Sequence, residues 1–144
     1  EENRNRILEN IKNGKAYNKF LELVKNQNGD ISYIENPEKF EKAKYIIPVI
    51  AEQTGYIEKL DARTVGVASV HLGAGRVKKE DGIDYAVGIW LEKKIGDKVN
   101  NGDVLAYIHA NDEEKGKQAV EELKQAYKIV EHSVKKEDHI LGII

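Results

Sequence analysis

From Lys44 to Ile108 the sequence is cut into short apolar runs by turns built on Gly and Asn, and this punctuation limits the fold more than any other feature. Short runs between such turns suit β-strands rather than long helices. Lys44 to Ala51 carries Tyr45, Ile46, Ile47, Val49 and Ile50, with Pro48 predicting an edge position because proline cannot donate to a neighbouring strand. Gly55 breaks the chain and Tyr56-Ile57 resumes it. Tyr85, Val87, Ile89 and Leu91 alternate with Ala86, Gly88 and Trp90, a strand pattern partly buried on both faces. Gly96-Asp97 and Asn101-Gly102 mark two turns, Val104 to Ile108 is another strand, and Ile140 to Ile144 a short terminal one.

Helical spacing frames these runs. Ile7, Leu8 and Ile11 predict a first helix ending at Asn13-Gly14. Ala16, Phe20, Leu23 and Val24 predict a second, stopped by Asn28-Gly29. Asn36-Pro37-Glu38 reads as a cap with proline at the first helical position. Asp61 reads as an N-cap for a helix through Val65, Ala68, Ser69 and Leu72, ending at Gly73. Asn111 with Glu114 resembles a capping box for a last helix packing Ala119, Val120, Leu123 and Tyr127. Helices first, then strand–helix–strand–strand–helix–strand, predict an α+β fold.

Composition excludes several functions. Lys and Arg number 23 against 25 Asp and Glu, so charge gives no argument for nucleic acid or an anionic membrane. There is no cysteine, hence no disulfide, thiolate chemistry or zinc–sulfur site. His71, His109, His132 and His139 match no zinc spacing and read as surface or satisfied polar histidines; no metal site is expected. The chain opens Glu1-Glu2-Asn3 without methionine, which leads us to expect a processed product, fragment or excised domain.

Two stretches, Ile50-Ala51-Glu52 with Gly55-Tyr56-Ile57 and the run from Gly96 to Ile108, resemble the halves of a barrel-sandwich hybrid, with Val99, Leu105 and Ile108 inward. The run DARTVGVASVHLGAGRVKKEDGIDYAVGIWLEKKIGDKVNNGDVLAYIHAND, from Asp61, resembles the C-terminal domain of the pyrimidine-nucleoside and thymidine phosphorylases. NGKAYNKFLELVKNQNGD, from Asn13, resembles the last helix of their central α/β domain. The resemblance implies an α/β-hammerhead domain with barrel-sandwich-like strands over residues 36–144, preceded by central-domain helices over 1–35. Val70 and His71 stand where more aliphatic residues are expected.

It also implies a function for the parent enzyme: phosphate attacks the anomeric carbon of a pyrimidine nucleoside and the base leaves. None of the family's catalytic motifs can be matched to positions here, so the chain by itself is expected to be inactive, with no cofactor and no catalytic residue. Phosphate is the implied co-substrate, the compartment cytoplasmic, and the parent a homodimer through a different domain. The LGAGR loop is implied to take part as domains close over substrate, with Gly73, Gly75, Arg76 and Lys79 as the closure-loop residues.

Simpler readings stand beside these. Arg76 can be a solvated loop arginine. Gly73-Ala74-Gly75 follows a helix, so it reads as a C-cap and turn rather than a phosphate cradle, which would open a helix. Glu80, Asp81 and Asp84 with Lys78 and Lys79 read as a solvated loop rather than an acid–base pair. Tyr85 and Trp90 read as core or interface packing rather than a stacking platform. Two other functions compete: a biotinyl or lipoyl-like carrier module, which would need a lysine at a hairpin tip that Ile108-His109-Ala110-Asn111 lacks, and a non-catalytic interaction domain using Phe20, Leu23 and Val24.

Overall fold

A computed structural model describes residues 2–136. The chain forms two compact units, divided between Glu41 and Lys42. In the first, α1 (Glu2–Lys12) and α2 (Lys15–Asn26) form a helical pair. Asn28 closes α2 in the left-handed conformation (φ 59°). The Gly29 and Asn28 N–H groups turn back to the carbonyls of Val24 and Lys25 at 2.9 and 3.0 Å, satisfying the last turn. A short α3 (Ser32–Glu35), unforeseen from sequence, precedes a 3₁₀ turn at Pro37–Lys39. Asn36 does not cap that turn; its amide donates to the Ser32 carbonyl at 3.1 Å, while Tyr33 and Phe40 stack edge-on at 5.2 Å.

The second unit is mixed α and β. Its strands are β1 (Tyr45–Ile50), β2 (Gly55–Leu60), β3 (Gly88–Leu91), β4 (Lys98–Val99), β5 (Val104–Ala110) and β6 (Tyr127–Val130), with helices α4 (Ala62–Ser69) and α5 (Glu113–Ala126). They make two three-stranded antiparallel sheets, ordered β1-β5-β3 and β4-β2-β6. Pro48 does lie on an edge strand. The two turn-flanked stretches singled out in the sequence are joined directly: Gly55 faces Val99, and Ile50 faces Val104.

One apolar core serves this unit. Ile57, Ile108, Leu123, Val49 and Val99 are its largest fully buried side chains, each worth about 1.5–3 kcal/mol of transfer free energy. From α5 the buried residues are Gly116, Ala119, Leu123 and Ala126, spaced as one helical face. Three of the four are small, so the helix axis lies close to β1 and β5. Gly55 marks another close approach, for a side chain there would press against the Val130 carbonyl across the β2–β6 pair.

Three expectations are corrected. The strand predicted from Tyr85 begins only at Gly88, because Asp84 to Ala86 form a turn. The last helix is capped by Asp112, whose carboxylate accepts the Lys115 N–H at 3.0 Å, and not by Asn111. Tyr127 lies outside that helix and opens β6, a strand hidden in sequence by its overlap with the helical spacing of Ala119, Val120 and Leu123. The terminal strand predicted at Ile140 to Ile144 lies outside the described residues.

Tyr127 shows how β6 is locked. Its hydroxyl proton is shared between the carbonyls of Lys93 (3.0 Å) and Leu105 (3.1 Å). Burial, helped by the negative charge of Asp97, pushes the hydroxyl from its ordinary value of 10.0 up to about 12. The unfolded chain gives up that proton near pH 10 while the fold keeps it to about 12, so stability drains away across this window. Tyr127→Phe is expected to cost about 1 kcal/mol at neutral pH. Urea titrations between pH 9 and 12 should show a shallower alkaline loss in the variant; equal losses would remove Tyr127 as the cause.

Candidate functional site

The feature best placed to act on a partner is the loop from Gly73 to Asp84. It begins where α4 runs into a π-helical turn at Val70–Ala74. Asp61 starts that helix, accepting both the N–H and the hydroxyl of Thr64 at 2.8 Å, and these bonds hold its carboxyl below the usual carboxylate range. Gly73 then turns the chain at φ 111°, a region closed to most side chains, although a Cβ there would meet Asp84 and Val87 only at ordinary contact distance. Gly75 packs so near Val70 that a Cβ would meet Cγ2 at 2.8 Å.

The foot of the loop is tied shut. The Asp84 N–H donates to the Gly73 carbonyl at 2.9 Å. The Asp84 carboxylate accepts from the Asn111 amide at 2.7 Å and the Ala86 N–H at 3.0 Å. Those two bonds, Asn111 first, hold the carboxyl below its ordinary range. Asn111 in turn accepts the Lys44 N–H at 2.9 Å. Sequence reasoning assigned Asn111 to a cap; its bonds reach residues 27 and 67 positions away, and no local pattern encodes such partners.

The tip is the reverse. Asp81 folds it locally, accepting the N–H groups of Val77 (3.1 Å) and Lys78 (2.8 Å). Arg76, Val77, Lys78 and Lys79 are all exposed, Val77 at 72%. The structure therefore puts Gly73 and Gly75 at the foot of the loop and Arg76 and Lys79 at a cationic tip. Asp81 and Asp84 accept from backbone and amide donors.

Beside the foot, Ala86, Val87, Gly88, Ile89, Trp90 and His109 line an apolar hollow of about 180 Å³. Trp90 is 63% exposed with its indole N–H on Glu92 at 2.9 Å, and Tyr85 is 87% exposed, so neither is core. The core reading fails because Trp90 faces outward opposite Tyr107, and Tyr85 sits in the turn before β3. His71 reaches Glu122 on α5 at 3.0 Å, which explains a polar residue where an aliphatic one was expected. His132 lies 3.8 Å from Glu58; His139 is outside the described residues. Among the described residues no three His, Asp or Glu groups are placed to hold a metal, and no helix is long and apolar enough to cross a membrane.

Residues 56–130 match a family model described as the pyrimidine nucleoside phosphorylase C-terminal domain. The chain belongs to that family. The matched segment starts at Tyr56 and ends at Val130, residues that face each other across β2 and β6, so it includes the whole loop and the Asp84–Asn111 bond at its foot. Pyrimidine-nucleoside phosphorylases from Staphylococcus aureus strains USA300, NCTC 8325 / PS 47 and COL are each 45% identical over 134 residues, covering 93% of this chain and 31% of the relative. The chain thus spans about a third of the length of these enzymes.

Two outcomes are expected for the loop. Gly73→Ala is expected to cost about 1–3 kcal/mol from backbone strain alone, read as a lower urea midpoint with an unchanged slope. In an NMR pH titration, Asp84 should ionise below an ordinary aspartate and move upward in Asn111→Ala. Its depressed value means that the stability it gives is present above the unfolded value, about 3.9, and is lost as pH falls through the folded one. An Asp84 that titrates alike in both proteins would exclude Asn111 as the cause.

Proposed function

We propose that this chain is the C-terminal, domain-closing part of a pyrimidine-nucleoside phosphorylase, which converts pyrimidine nucleoside and phosphate into free base and (deoxy)ribose 1-phosphate. The carrying observation is the family match over residues 56–130, extended by 45% identity across 93% of the chain. In this reading residues 1–35 finish the central α/β domain and 36–144 form the C-terminal domain. Exposed Ile7, Ile11, Phe20 and Leu23 support the first assignment, since amphipathic helices of this kind need a body to bury them. Pairing of β2 with β4 and of β1 with β5 supports the hammerhead and barrel-sandwich description of the second.

Phosphorolysis needs donors around phosphate and a group that draws charge from the departing base. We assign both to the rest of the enzyme and give this chain the role of closure. Water competes with phosphate for the anomeric carbon, so the site must shut before reaction. The loop suits that role, since Gly73 and Gly75 shape its foot while Arg76 and Lys79 stand in solvent where an approaching domain or bound phosphate meets them. The enzyme works in the cytoplasm as a homodimer through its N-terminal domain, with phosphate as co-substrate and no cofactor from this part.

Incubated with uridine and phosphate, the chain alone is expected to release no uracil. Exchanged for the matching third of the Staphylococcus aureus enzyme, it is expected to support phosphorolysis, and Arg76→Ala in that exchange should lower kcat/KM about tenfold. Enzyme-like turnover by the isolated chain, or an exchange protein that folds and is inactive, would overturn the assignment.

A further inference from the structure

We propose that Asn111 is a positioning residue whose side chain clasps the foot of the closure loop and so fixes where Arg76, Lys78 and Lys79 are presented. The inference rests on the closure role given above for its kinetic part only; the clasp itself stands on geometry. One carboxamide joins three segments far apart in sequence. Its oxygen accepts the Lys44 N–H (2.9 Å) just before β1, and its nitrogen donates to Asp84 (2.7 Å) at the loop's return. The residue comes directly after β5, the central strand of its sheet, and precedes the Asp112 cap of α5. It is therefore held between two rigid elements.

The loop has few other ties. Asp81 closes the tip upon itself through Val77 and Lys78, which gives the tip a shape and no fixed place. Place is set at the foot, by the Asp84 N–H on the Gly73 carbonyl and by Asp84 on Asn111. An amide fits position 111 for a specific reason: it must accept from a backbone N–H and donate to a carboxylate at once. Aspartate there keeps the first bond but turns the second into a repulsion between carboxylates. Exchanging the two residues restores both, because a new amide at position 84 can donate to the new carboxylate at position 111 while still accepting the Ala86 N–H.

The test compares the unaltered chain, Asn111→Asp, and the double variant Asp84→Asn with Asn111→Asp. Limited trypsin digestion is followed by mass spectrometry at the bonds after Arg76, Lys78 and Lys79. A released foot exposes those bonds in proportion to the open population, so Asn111→Asp is expected to be cut about tenfold faster there and the double variant within about twofold of the unaltered chain. Unchanged cutting in Asn111→Asp, or no recovery in the double variant, would overturn the clasp. If Asn111→Asp does not fold, Asn111→Ala replaces it, and unchanged loop cutting in that variant overturns the clasp equally.

The same changes are then placed in the Staphylococcus aureus exchange protein. The expected result is a several-fold higher KM for phosphate and nucleoside in Asn111→Asp with a smaller change in kcat, restored by the double variant. A loop released with unchanged kinetics would overturn the positioning role and leave the proposed enzyme standing. Inactivity of the unmutated exchange protein would instead overturn the proposed function and leave the clasp intact.

Discussion

The covering of β5 on one face by α5, while β1 and β3 bond to its two edges, is the constraint on which the rest of the larger unit depends. Leu105, Ala106, Ile108 and Ala110 of β5 are buried, and small residues on α5 let the helix sit close above them. A central strand held on both edges cannot slip by one residue without turning its apolar side chains to solvent. The residues just after β5 are consequently fixed as well. Asn111 and Asp112 come next, so loop clasp and helix cap inherit their positions from that strand.

The described aspartates of this unit serve its turns and helix starts. Asp61 and Asp112 cap helices; Asp97 accepts the Lys94 N–H, Asp103 the Asn100 N–H, Asp81 those of Val77 and Lys78, and Asp84 that of Ala86. Each carboxylate meets a backbone donor that the fold leaves without a carbonyl partner. These bonds let many charges coexist with a small apolar core, and they occupy Asp81 and Asp84 with backbone and amide donors. Chemistry by this unit, on the reading given above, is indirect: it shapes and places a cationic loop.

Membership of the phosphorylase C-terminal domain family accords with such a division of labour. The matched segment runs from β2 to β6, beginning and ending on residues that pair with each other. It carries the loop, the Asp84–Asn111 bond and both helix caps, while Lys44 of the clasp and the core residues Val49 and Ala51 lie before it. The helical pair α1–α2 lies outside that segment and keeps its apolar stripe exposed.

The sequence by itself determined the elements whose signals are local. Asp61 as a cap, the stop at Asn28, Pro48 at an edge, the turns at Gly96 and Gly102, and the helix break at Gly73 all depend on a residue and its near neighbours, and steric and capping rules act at that range. The family, too, was legible, in one long uninterrupted run from Asp61. Tertiary structure alone decided the rest. Tyr127 became a strand because β2 offered an unpaired edge, and that edge outweighed the helical spacing before it. Trp90 was left outside because its strand turned that face away from the core. Asn111 became a clasp because β1, the loop and β5 converge on it, and convergence of distant segments is a property of the folded chain that no local pattern records.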